Sequence, residues 1–280
     1  MKEKEGKYIV SSDGFQLNYS INEAESPIAM VCVFHGFGEH LGRYERLVSY
    51  LNTRQISCLS MDFRGHGRSQ GKRGHLPSIQ QMLDDMEEAL KLARVTELEV
   101  PLFLFGHSLG GCMVLNYALR KPVMELSGFI ASSPWLTLAF DPPGWKVKLA
   151  KPMSKLWPKL SQPANIDHYA LAKNPEMVKT YEDDPLVHNQ MTARFFVEVT
   201  EAGMYVKEKI SELELEGLVY HGTSDRITDF STTKEISSRS GRIQFRELTD
   251  FYHDLHSNLG HESVFQLTSE WISNRVKTLS

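Results

Sequence analysis

Residues 102–119 read Leu-Phe-Leu-Phe-Gly-His-Ser-Leu-Gly-Gly-Cys-Met-Val-Leu-Asn-Tyr-Ala-Leu. A short apolar run leads into Gly106-His107-Ser108-Leu109-Gly110, and Cys112 to Leu119 then suits a helix. Strand, Gly-x-Ser-x-Gly and helix in that order describe a nucleophile elbow, where a serine sits on a strained turn with its hydroxyl free. The glycines are needed because a side chain at 106 or 110 would collide with the neighbouring strand and helix. A helix starting at Leu109 also turns free N–H groups and its positive dipole end toward the serine.

Outward from this stretch, further short apolar runs occur at 28–34, 56–61, 128–131, 215–220 and 243–248. Continuous rather than alternating runs are what parallel strands buried on both faces require. Helical patterns lie between them. Tyr44, Leu47, Val48 and Leu51 share a face, as do Ile79, Met82, Leu83, Met86, Leu90 and Ala93 behind a Ser78–Gln81 capping box. Val264, Phe265, Thr268, Trp271 and Ile272 form a last stripe. The alternation predicts an α/β fold, a mostly parallel central sheet with helices on both faces. Residues 8–20 read as a hairpin turning at Ser12-Asp13-Gly14, which adds an antiparallel edge.

The rhythm fails after residue 131. No clear strand is visible until 215, and the stretch holds Trp135, Trp145 and Trp157 with prolines that include Pro142, Pro143, Pro152, Pro158 and Pro163. A structureless loop of that length does not suit a compact domain, so a helical cap insertion is expected, with Pro152 and Pro158 cutting its helices short. The expected division is a core of 1–134 and 206–280 with a cap of 135–205.

Composition excludes several classes. Of 280 residues, 41% are hydrophobic and 24% charged, which is globular, and a net charge of −4 argues against a nucleic-acid partner. The longest apolar run has seven residues, where a membrane span needs about 20. Residues 1–5 are mixed in charge, with no secretory pattern behind them. Cys32, Cys58 and Cys112 are odd in number and each lies in an apolar segment. Buried free thiols in a reducing, cytoplasmic setting are therefore expected.

An exposed serine needs a base and a group to orient it. In this fold they follow in the order Ser, Asp or Glu, His. Asp225 lies just past the run 215–220 and His253 just past 243–248, so both fall in loops at the carboxyl edge of the sheet. Asp229 suits a helix N-cap, while His35, His66 and His221 suit loop-shaping roles. His253, His256 and His261 have no His-Glu-x-x-His helix or paired cysteines beside them, so no metal is expected. The oxyanion donors expected are the backbone N–H groups of Leu109 and of Phe37, in the loop His35-Gly36-Phe37-Gly38-Glu39-His40. Gly65-His66-Gly67 places its third glycine at Gly71, one position too late for a dinucleotide fingerprint, and no cofactor is expected.

Seven blocks, taken in order, resemble the monoacylglycerol lipase and lysophospholipase branch of the α/β-hydrolases. They are HGFGEHLGRY (35–44), MDFRGHGRSQGKRG (61–74), GHSLGG (106–111), SSPW (132–135), DDPLVH (183–188), HGTSDRIT (221–228) and FYHDLH (251–256). The resemblance implies a Ser108–Asp225–His253 triad, oxyanion donors at Phe37 and Leu109, and a lid and acyl pocket near 135–205. It also implies that Glu39, Arg43 and His256 face a glycerol head group. The chain departs from the pattern in having Leu215-Glu216-Gly217 where relatives often have proline, and Asn258 where glutamate is common.

The implied activity is carboxylester hydrolysis of a small lipid ester, with a monoacylglycerol as substrate. The competing readings are a lysophospholipase, a broad esterase or thioesterase, or a hydrolase-fold ligand receptor with slow turnover. Between Trp145 and Leu160 stand five lysines and no acid, beside a stripe of Trp145, Leu149, Met153, Leu156 and Leu160. Peripheral membrane contact through the lid and an ordinary cap helix packed on the domain both fit that pattern.

Overall fold

The computed structural model describes residues 7–97, 99–121, 125–164 and 166–279. The charged stretch 1–5 lies outside them. Ten strands occur among the described residues: β1 (Lys7–Val10), β2 (Gln16–Asn22), β3 (Ala29–Phe34), β4 (Ile56–Met61), β5 (Leu102–His107), β6 (Gly128–Ser132), β7 (Ser161–Pro163), β8 (Gln190–Thr192), β9 (Gly217–Gly222) and β10 (Ile243–Leu248). The helices are α1 (Glu45–Thr53), α2 (Ile79–Thr96), α3 (Leu109–Arg120), α4 (Gly144–Leu156), α5 (Pro175–Glu182), α6 (Ala193–Lys209), α7 (Phe230–Ser238) and α8 (His261–Leu279).

Eight strands form one sheet in the order β1-β2-β4-β3-β5-β6-β9-β10. The hairpin β1–β2 pairs antiparallel, and β2 runs antiparallel to β4. From β4 to β10 every pairing is parallel. All residues of β3, β4, β5, β6 and β9 are buried, which is why their apolar runs do not alternate. One face is covered by α2, α3 and α6 through Leu83, Met86, Leu115 and Val199. The other is covered by α1 and α8 through Leu47, Leu51, Val264 and Phe265. Fully buried Phe103, Phe105 and Phe129 each contribute about 1.5–3 kcal/mol by the area removed from water.

Several expectations change. β10 is an edge strand whose residues alternate between half-buried and exposed, because only β9 flanks it. β9 begins at Gly217 rather than 215, where pairing with both β6 and β10 becomes available. Ser78 caps α2 by accepting from Gln81 N–H at 3.2 Å. The Gln81 amide turns to Asp85 and Ser12 instead of closing the box. The stretch 132–214 is not strandless, since β7 and β8 pair antiparallel over three residues each. α4 continues through Pro152 to Leu156. The carbonyl deprived of its donor belongs to exposed Lys148, where solvent replaces the lost bond, so the proline is tolerated.

The inserted segment is stitched down at one end. His188 N–H donates to Gly38 O at 2.8 Å and Thr192 N–H to Gly74 O at 2.9 Å. His40 Nε2 stands 2.8 Å from Asp184 Oδ2. Gly74, at φ +62°, leaves no room for a Cβ, which would stand 1.7 Å from Gln190 O. At its far end α6 joins the main core, where Asn116 of α3 donates to Ala202 O at 3.2 Å. Near the hairpin, the buried Arg64 guanidinium forks onto Asp85 at 2.5 and 2.7 Å and onto Asp13 at 3.0 and 3.1 Å. All three cysteines are free and buried.

Candidate active site

The site lies along the carboxyl ends of β3, β5, β9 and β10. Ser108 stands between β5 and α3 at φ 53°, ψ −111°, the left-handed region that costs a non-glycine residue about 1–3 kcal/mol. Its backbone is held on both sides, with Ser108 N–H donating to Ser132 O and its carbonyl accepting from Cys112 and Trp135. The flanking glycines behave as expected. A Cβ at Gly106 would stand 2.2 Å from Gly110 O, and one at Gly110 2.2 Å from Phe34 O.

The three distant residues converge. His253 Nε2 lies 3.0 Å from Ser108 Oγ, and His253 Nδ1 lies 2.7 Å from Asp225 Oδ2. The imidazole is buried, which lowers its pKa, but the charge and hydrogen bond of Asp225 outweigh burial and the net direction is up. Burial raises the Asp225 pKa in turn, yet His253 and His221 hold the carboxyl well below the usual range. An ionised Asp225 fixes the tautomer: Nδ1–H donates to the carboxylate and Nε2 is left to take the serine proton.

Asp225 is bound more fully than the sequence suggests. Its Oδ1 accepts from Ile227 N–H at 2.7 Å and Thr228 N–H at 3.0 Å. Its Oδ2 also accepts from Thr228 Oγ1 at 2.9 Å and from His221 Nε2 at 3.0 Å. His221, expected only to shape a loop, is therefore a second imidazole on the same carboxylate. Asp229 caps α7 by accepting from Thr232 N–H at 2.6 Å.

The loop after β3 passes directly against the serine, since a Cβ at Gly36 would lie 3.3 Å from the Ser108 Cβ. The neighbouring Phe37 ring packs among Trp135, His188 and Phe195.

Above Ser108 opens a cavity of about 550 Å³, lined chiefly by apolar residues of the insertion, including Trp145, Leu149, Met153 and Phe196. Its other end is polar. Glu39 Oε1 accepts from Gly36 N–H and from Tyr44 Oη, each at 2.6 Å. Arg43 donates to Glu39 at 3.2 Å and to Asp254 at 3.1 Å. The His256 ring stacks on Tyr44, centroids 4.2 Å apart. Glu39 and Asp254 line the cavity, and Arg43 and His256 back them. Burial with neighbouring His253 and His256 pushes His107 down to about 3, so it is neutral near pH 7. His261 stands away from this group, against Arg46 and Phe265. The residues missed from sequence are His221, Thr228 and Asp254. An acid directly after the expected base, between two histidines, is the one available signal, and it is weak.

A serine hydroxyl aligned on a neutral imidazole, itself oriented by an ionised carboxylate, can deliver an alkoxide to a carbonyl carbon. Comparison with known proteins agrees with that chemistry. A family model described as serine aminopeptidase, S33, matches residues 25–259. The chain is 30% identical over 277 residues to the monoglyceride lipase of Rattus norvegicus, covering 96% of this chain and 90% of that one. It is 31% identical over 254 residues to an uncharacterized abhydrolase domain-containing protein of Dictyostelium discoideum, covering 90% of this chain and 27% of that longer protein. The crystal structure of Paleococcus ferrophilus monoacylglycerol lipase superposes with a TM-score of 0.85 at 30% identity, covering 92% of this chain and 99% of that one. The chain belongs to the serine aminopeptidase S33 family of α/β-hydrolases, with monoglyceride lipases among its relatives.

Proposed function

We propose that the protein hydrolyses fatty acyl monoesters of glycerol through an acyl-enzyme on Ser108. Ser108 Oγ attacks the ester carbonyl while His253 Nε2 takes its proton. Asp225 holds the imidazole and stabilises the cation that forms. The N–H groups of Phe37 and Leu109 receive the oxyanion, where one preorganised donor is typically worth about 2.7–4 kcal/mol. His253 then protonates the departing glycerol oxygen, and water repeats the cycle on the acyl-enzyme. Glu39, Arg43 and His256 form the head-group end, with Glu39 nearest the substrate hydroxyls.

The observation carrying this reading is the Ser108–His253–Asp225 chain of contacts beneath a cavity that is apolar at one end and carboxylate-lined at the other. An acyl chain fits the first end and a small hydroxylated head the second. Relatives named as monoglyceride lipases at about 30% identity support the same substrate class. Purified protein is expected to release fatty acid and glycerol from 1-oleoylglycerol, followed by chromatography of both products. Turnover of p-nitrophenyl butyrate with none of 1-oleoylglycerol would reject the glycerol ester and leave a general esterase.

The insertion also supports peripheral membrane contact. No helix among the described residues is long and apolar enough to cross a membrane. On α4 and the turn after it, however, Trp145, Leu149, Leu156, Trp157 and Leu160 are all at least half exposed. Trp145, Leu149 and Leu160 reach the cavity, whereas Leu156 and Trp157 are exposed away from it, and the whole stripe lies beside Lys146, Lys148, Lys151, Lys155 and Lys159. Each lysine near an anionic surface adds about 1 kcal/mol of attraction. Changing the five lysines to glutamine is expected to weaken co-sedimentation with phosphatidylserine vesicles by about tenfold or more. Unchanged binding of that variant removes the surface role.

A further inference from the structure

The resemblance assigns roles to Glu39, Arg43 and His256 but none to Asp254, which follows the base His253 and is 4% exposed. Its Oδ2 accepts from Arg43 Nη2 at 3.1 Å. Its Oδ1 stands 3.0 Å from His256 Nε2 but out of line for a hydrogen bond, and neither atom finds a partner. Asp254 also lines the cavity, so a second carboxylate stands beside Glu39 in its wall.

The charges around it are unequal. Glu39, Asp254 and Lys146 are the charged residues lining the cavity. Lys146 belongs to α4, with its ammonium 5.7 Å from the centre of the Trp145 ring. At the Ser108 end, two carboxylates therefore face one guanidinium, and that one is already engaged. Arg43 bonds Glu39 and Asp254 and lies 4.8 Å over the Tyr181 ring. Burial pushes both carboxyls up, but His256, Arg43 and their other neighbours outweigh it and keep them ionised. Burial lowers the pKa of both His107 and His256, and what charge His256 carries is taken up by Glu39 and Asp254. Tyr44 and Tyr181 stay neutral, pushed up by burial and by Glu39. Behind His253 stands a further carboxylate, Asp225.

We infer that Asp254 is a specificity-determining residue that, with Glu39, makes the head-group end accept neutral polyol or cationic esters and refuse esters whose head carries a phosphate. An anion brought here loses its hydration, meets like charge at low dielectric and finds no free cation. A hydroxyl donates to the carboxylate wall, and a quaternary ammonium is balanced by the pair of carboxylates. The inference rests on the glycerol-ester reading above and separates it from a lysophospholipase reading by the charge of the head.

The test compares kcat/KM for 1-oleoylglycerol, 1-oleoylglycerol 3-phosphate and oleoylcholine, with p-nitrophenyl oleate as an ester lacking a head group. In the native enzyme the glycerol ester is expected to exceed its phosphate by about a hundredfold, with oleoylcholine within about tenfold of the glycerol ester. In Asp254→Asn the preference for glycerol ester over phosphate is expected to fall by about tenfold or more. Reading a ratio within each protein cancels any general loss, and the native panel decides even if the variant does not fold. A native preference within about threefold of unity overturns the inference, as does an unchanged preference in folded Asp254→Asn. Cleavage of p-nitrophenyl oleate alone shows instead that the glycerol-ester reading has failed, and this inference with it.

Discussion

Ser108→Ala is expected to yield a folded protein that has lost activity on fatty acyl esters by about 10⁴-fold or more, the scale found when one member of a nucleophile–base–acid unit is removed. Ser108 bonds His253 and lines the cavity, so loss of the hydroxyl leaves the melting temperature near that of the parent. The same unit sets the pH response. His253 must be neutral to accept the serine proton, and Asp225 raises its pKa above the ordinary 6.5. The acid limb of kcat/KM is therefore expected above pH 6.5, with activity falling as pH drops through it. In Asp225→Asn the carboxylate that favours the imidazolium is gone, so the limb moves to lower pH while kcat falls by about 10⁴-fold. Parallel assays of both variants between pH 5 and 9, with circular dichroism of each, check these outcomes. Activity retained by purified Ser108→Ala, or a limb that moves upward in Asp225→Asn, contradicts the assignment.

Arg64→Met is expected to have the largest effect on stability. Arg64 is the cation beside Asp85, whose side chain is completely buried and whose pKa burial already raises. Removing it leaves an uncompensated charge in the core, at a cost of about 3–5 kcal/mol. For a chain of this size that corresponds to a fall in melting temperature of roughly 6–20 °C. Because Asp85 can neutralise itself by taking a proton, its folded-state pKa lies above the unfolded value and the loss grows as pH rises. The deficit is expected to be smaller at pH 4 than at pH 8, and smaller again in Arg64→Met/Asp85→Leu. A melting temperature within about 3 °C of the parent at pH 8 means the pair is not what holds the hairpin to α2.

How legible each feature was in the sequence depends on how local its cause is. Ser108, Asp225 and His253 each sit at the end of a strand in a short stretch whose residues state the local geometry, and strand order alone brings them together. The burial of β3 to β6 and β9 is written in runs of apolar and small residues that carry no charged side chain. β10 reads Ile-Gln-Phe-Arg-Glu-Leu, and its polar residues at 244, 246 and 247 already mark a strand with an exposed face, as its edge position bears out. β7 and β8 are three residues each, too short for a period to show. Pro152 obeys a local rule that an exposed helix face relaxes. Asp254 gains its meaning from Arg43, 211 positions away, and His221 gains its own from the second oxygen-bound imidazole on Asp225. Side-chain partnerships of that kind exist only after folding.

The stitching of residues 184–192 onto the loops after β3 and β4 has a mechanical consequence. The insertion cannot swing outward as one rigid flap, because its base would pull Gly38 and Gly74 with it. Any widening of the mouth must then come from α4 shifting against α6, on which it packs and to which Lys151 is tied through Glu201. Movement of that helix would leave the backbone beside Phe37 in place, so the shape of the cavity and the geometry around Ser108 are set by separate parts of the chain.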